Sequence, residues 1–143
     1  MREIKFRAWD KVTRQFVTSF TMTSNGHIEL WVGDGSGKVR EPQDFDVLQY
    51  TGLKDKNGVE IYEGDIVLGG YDEVYEVRYM GIQNYPAFDV VPDIAADSNG
   101  LSYLILESDD GVEVIGNIYE NPELLEANRQ RMKLRALLRR SFT

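Results

Sequence analysis

"QYTGLKDKNGVEIYEGDIV", residues Gln49–Val67, mixes Gly, Asp, Tyr, Lys and Asn between short apolar runs, and its reading decides the fold. Read as structure, Leu53, Ile61, Ile66 and Val67 are buried strand residues and Asn57-Gly58 is a hairpin tip. Gly64-Asp65 then starts the next strand tightly, with the Asp65 carboxylate accepting local backbone N–H groups. Read as a site, Tyr50, Tyr62 and Asp65 form one wall of a groove for a ligand or peptide, because tyrosine joins a rigid apolar body to a polar tip. Every special residue in the stretch has a turn-chemistry reason to be there, so the structural reading comes first.

The same punctuation recurs outward from this stretch. Asn25-Gly26, Asn99-Gly100 and Asp110-Gly111 join Asn57-Gly58 as predicted hairpin turns of the type that needs two positive φ angles. Before them, Ile4, Phe6 and Ala8 alternate with Glu3, Lys5 and Arg7, the period of a strand with one wet face, and Phe16–Phe20 is its expected partner. Later strands read as "EVYEVRYM", "AFDVV", "SYLILE" and "VEVIGNIY". Leu101–Leu106 is apolar on both faces and reads as a central strand. The predicted class is mainly β (α+β): a small antiparallel β-barrel or sandwich over residues 1–120, with Gly33–Asp46 as a polar, Gly-rich, disordered loop.

One helix is signalled, in a tail at residues 121–143. Asn121 is the expected N-cap, Pro122 suits the first helical position, and Glu123 and Glu126 face the positive end of the dipole, giving a helix from about Pro122 to Arg139. Leu124, Ala127, Leu134 and Leu138 fall near one stripe that Arg131 interrupts, so this helix is expected to pack on the domain or on a neighbouring subunit.

Charge separates tail from body. Residues 1–120 hold 10 Lys+Arg against 22 Asp+Glu, a net −12, and residues 121–143 hold 6 against 2, a net +4. An acidic body repels a phosphate backbone, so any nucleic-acid contact falls to Arg129, Arg131, Lys133, Arg135, Arg139 and Arg140. Their plainer role is a solvated surface that complements the helix dipole.

Several chemistries are excluded. With no Cys there is no disulfide, thiolate metal site or thiol nucleophile, and one His leaves too few soft ligands for zinc. "GDGSGKV", Gly33–Val39, has Val32 where a P-loop needs its first Gly and Val39 where it needs a hydroxyl. Placing Gly58 at the sixth position of a calcium loop would put Leu53 and Gly64 at ligand positions. No Gly-x-Ser-x-Gly elbow supports a Ser-His-Asp set around His27, and Glu63, Asp65 and Glu113 do not stand out as a catalytic pair among 24 acids. No cofactor, metal or catalytic residue is assigned. No apolar run approaches the roughly 20 residues of a membrane span, so a cytoplasmic protein is expected.

Three blocks occur in order: "MREIKFRAWD" (Met1–Asp10), "LQYTGLKDKNGVEIYEGDIV" (Leu48–Val67) and "VIGNIYENPELL" (Val114–Leu125). Together they resemble the YopX family of phage and prophage proteins. The resemblance implies a small β-rich intracellular protein encoded by a phage or prophage in a bacterial host, and carries no established activity. The basic residues beyond Leu125 lie outside it. The resulting expectation is a non-enzymatic accessory protein that binds another protein and self-associates as a homo-oligomer, with nucleic-acid binding through the basic helix as the alternative.

Overall fold

Alternation near the N-terminus becomes strand β1 (Phe6–Asp10), although Ile4, the first residue of the predicted pattern, lies before it and is exposed. The computed structural model describes residues 2–17, 19–29, 42–80, 86–92 and 99–141. Two units divide the chain, Met1–Tyr50 and Thr51–Thr143. In the first, β1 pairs antiparallel with β2 (Gln15–Val17) and with the first half of β5 (Phe45–Lys54), placing Ala8 opposite Val17 on one side and Val47 on the other. The short β3 (Thr21–Met22) and β4 (Ile28–Glu29) pair with each other. Ala8, Ile28 and Phe45 form the core, against which Val17, Phe20 and Val47 pack.

β5 carries the chain into the second unit, and the first sheet runs β2-β1-β5-β6, where β6 is Glu60–Tyr62. The second sheet runs β10-β7-β8-β9, built from β7 (Asp65–Leu68), β8 (Val74–Tyr79), β9 (Phe88–Val91) and β10 (Glu113–Asn117). Ile61, Val67, Val77, Val90 and Val112 meet Leu101 and Leu104 in its core. Tyr75 packs on the same cluster, and burial, with Glu73's charge second, raises its phenol pKa. The predicted class holds: mainly β, antiparallel, with a long C-terminal helix, α2 (Pro122–Ser141).

Several sequence expectations are corrected. Leu101–Leu106 is not a strand but part of helix α1 (Gly100–Leu106), and Asn99 caps it instead of turning a hairpin: its Oδ1 accepts from Ser102 N–H at 3.0 Å. The run buries Leu101 and Leu104, and Ile105 packs on the same core cluster, the spacing of a helix that faces the core once. Asn99 Nδ2 also donates to Phe88 O at 2.8 Å. Asn99→Ala is therefore expected to lower stability by roughly 1–2 kcal/mol in urea unfolding; an unchanged midpoint would show that α1 is set by burial alone.

The second correction concerns the turns. Gly26 and Gly58 have φ of 86° and 83°, but Asn25 and Asn57 are not left-handed, so each turn is the longer type that ends on a left-handed glycine. Side-chain oxygens hold them. Thr23 Oγ1 accepts from His27 N–H at 3.1 Å and Asp55 Oδ1 accepts from Val59 N–H at 2.8 Å, each four residues on. Asp10 does related work between β1 and β2, accepting from Val12 and Thr13. Asp110-Gly111 also turns, with Gly111 at φ 64°, but it leads from α1 towards β10 and joins no two strands.

Third, Asn121 does not cap α2 through its side chain. Its Oδ1 reaches back to the Asn117 N–H at 3.2 Å. The predicted strand beyond Glu29 and residues 33–41 of the predicted disordered loop lie outside the described residues, but the loop's last five residues are ordered, as a 3-10 turn (Pro42–Asp44) and the start of β5.

Candidate interaction surface on the C-terminal helix

Helix α2 lies on β8 through its first half and leaves its second half exposed. Asn128, buried at 4% exposure, donates from Nδ2 to Val74 O at 3.1 Å. Arg131 donates to Asp72 O and, at 3.1 Å, to Asn128 Oδ1, and Arg135 pairs with Glu73 at 2.5 Å. Leu124 and Leu125 are half-buried. The acceptors Asp72, Glu73 and Val74 run from the last residue of a short 3-10 turn (Gly70–Asp72), in which Tyr71 and Asp72 adopt positive φ, into β8. Beneath α2, Glu76 is buried and bidentate to Arg78 at 2.6 and 3.0 Å, a hydrogen bond that raises the guanidinium pKa. Beside it a cavity of about 290 Å³ opens between Val91, Pro92, Leu125 and Met132.

Past Met132 the helix carries Leu134, Leu137 and Leu138 at 58%, 59% and 51% exposure. At about 100° per residue these three cover about a quarter of the helix surface, with Leu137 opposite Asn128 and Leu138 beside the anchors Arg131 and Arg135. Solvent-exposed leucines three and four positions apart form a continuous apolar strip. Packing on the same chain, one of the two expected destinations of the tail, does not account for these three residues.

The predicted site residues are distributed as follows. Tyr50 is in the first unit, 4% exposed, with the Lys5 ammonium 5.6 Å from its ring centre. Asp65 is 2% exposed and its Oδ2 accepts from Tyr62 N–H at 2.8 Å, the local backbone role that the structural reading assigns to it. Of the six cations, Arg131 and Arg135 are held as above and Arg129 lies 3.9 Å from Glu126. Lys133, Arg139 and Arg140 lie on the exposed half. Among the described residues no group of three or more His, Asp or Glu is placed to hold a metal ion, and no helix is long and apolar enough to cross a membrane.

Sequence reasoning passed over Asn128. A polar residue amid "LLEANRQRM" looks solvated, and its partner, Val74 O, is 54 positions away. Its only local signal is that it sits four residues after Leu124 and four before Met132, in line with the half-buried face.

The family described as YopX protein matches residues 5–126. The chain belongs to that family. Among solved structures it is similar to protein EF1440 from Enterococcus faecalis, with 31% identity, a TM-score of 0.56, and coverage of 87% of this chain and 99% of that one. No curated protein matches. The family match ends just inside α2, so the exposed half of the helix, which carries the leucine strip, lies beyond it.

Proposed function

We propose that this YopX-family chain is a non-catalytic accessory protein of a bacteriophage or prophage that works by binding proteins, further copies of itself included, through α2. The observation that supports this reading is the exposed strip of Leu134, Leu137 and Leu138 on a helix anchored to the body at Asn128 and Arg135. Contiguous exposed apolar surface on a soluble chain marks contact sites. Burying the exposed half of each leucine is worth roughly 1 kcal/mol, so the strip contributes about 3 kcal/mol to association, near two orders of magnitude in Kd. The nucleic-acid alternative has less to work with, because Arg129, Arg131 and Arg135 already face oxygens of their own chain.

The test is the full chain carrying Leu134→Glu and Leu138→Glu, compared with wild type by light scattering and by a salt-titrated DNA-binding assay. Loss of mass in the variant, with its circular dichroism unchanged, is the expected result. A monomeric wild type that binds DNA with steep salt dependence would favour the nucleic-acid reading instead.

A further inference from the structure

Accepting that α2 mediates self-association, on which this inference rests, the question is what receives its leucine strip. Two strips could pair with each other, but that would bring together two helices from tails of net charge +4, and like charges juxtaposed across an interface oppose association. An apolar surface bordered by acids is the better match, and the second unit carries one. On α1, Leu106 is 75% exposed and Tyr103 37%, three residues apart and so on one helical face. Glu107, Asp109 and Asp110 follow directly, all exposed. The strip on α2 has the opposite border, with Lys133 and Arg140 flanking it on the side of Leu137.

We propose that the basic leucine strip of α2 in one copy docks on the acidic Tyr103–Leu106 face of α1 in a second copy. The two faces are different surfaces of one chain, and both are exposed in that chain, so the contact pairs unlike surfaces. One such contact leaves the first copy's α1 face and the second copy's α2 strip unused, and these either close on each other in a two-fold dimer or recruit further copies into a larger ring or an open chain. Aromatic and aliphatic anchors supply affinity, and the opposed charges set the choice of partner and the rate of encounter.

The experiment uses two full-length variants. Leu134→Glu with Leu138→Glu removes the donor; Leu106→Lys removes the acceptor at a position exposed enough to leave folding intact, which circular dichroism checks. A second acceptor variant, Glu107→Lys with Asp109→Lys, leaves the apolar face in place. Wild type is expected to sediment as a dimer or a larger species, and each variant alone as a monomer. The donor and acceptor variants mixed in equal amounts should give a species of twice the monomer mass and nothing larger, because each has one working surface. Raising salt about tenfold should weaken that pair at least tenfold. If the α1 variants assemble like wild type while the α2 variant is monomeric, the docking face is wrong and self-association through α2 stands. A wild type that is monomeric throughout would overturn both.

Discussion

Asp55→Ala is expected to lower the stability of the second unit by roughly 3–5 kcal/mol. One carboxylate, 7% exposed, accepts from three backbone N–H groups: Oδ1 from Asn57 at 2.9 Å and Val59 at 2.8 Å, and Oδ2 from Val114 at 2.9 Å. The first two hold the turn that joins β5 to β6. The third reaches 59 positions ahead to β10, so Asp55 ties the Lys54–Gly58 turn to the second sheet's edge. Hydrogen bonds to a charged acceptor contribute about 1.5–3 kcal/mol each, and an abandoned N–H adds its own desolvation cost unless water reaches it. Asn57 and Val59 are exposed and can be rehydrated, so the sum falls below three full bonds. Asp55→Asn keeps one carbonyl oxygen and should lose about half as much. Urea unfolding reads both as a shift in midpoint at constant slope. A loss under about 1 kcal/mol for Asp55→Ala would mean that the turn is held by Gly58 and the strands alone.

That residue also shows where the sequence was legible and where it was not. The hairpin at Asn57-Gly58 could be read from four adjacent letters, because turn chemistry is local. The bond to Val114 could not, since nothing in "LKDKNG" points 59 positions ahead. The same divide explains Leu101–Leu106. Five apolar residues in a run of six satisfy a strand or a helix period equally. The choice is made by Asn99 at the N-cap and by Asp89, 12 positions back, whose Oδ1 accepts from Leu101 N–H at 3.2 Å. Asn99-Gly100 was readable as a pair that stops one element and starts another, but a cap and a hairpin tip use the same residue types.

The candidate surface divides in the same way. The tail's sign and its leucines stand out from letters 121–143 alone, and the helix runs within two residues of its expected end. Which leucines stay bare was not legible, because it depends on where β8 lies and on the Asp72–Val74 backbone that Arg131 and Asn128 grip. Arg131, which looked like an interruption of an apolar stripe, is one of the anchors that fixes which face is left over.

Gly116→Ala is the second large effect, at roughly 2–4 kcal/mol, and its cause is space, not conformational freedom. A Cβ at Gly116 would lie 2.5 Å from Asn121 Oδ1, 2.7 Å from its Cγ and 2.9 Å from its Cβ. Gly58→Ala differs in kind: nothing lies within 4 Å there, and the cost is a side chain at φ 83°, about 1–2 kcal/mol. At Gly116 the chain sits at a register shift in the β10–β7 pairing, and Asn121 closes the turn by accepting from Asn117 N–H. Asn117 in turn accepts from Tyr119 and Glu120 through Oδ1, so the block "GNIYENP" is one hydrogen-bonded turn folded against its own glycine. An added methyl must push Asn121 away, breaking that bond and moving the residue immediately before α2. The displacement should reach the helix, loosening the Asn128 bond to Val74 O, which hydrogen exchange along α2 would register. The cause is isolated by a double-mutant cycle with Asn121→Gly, which removes every atom of the clash. Gly116→Ala should cost much less in that background. Equal losses in both backgrounds would show that the contact with Asn121 is not what forbids a side chain at position 116.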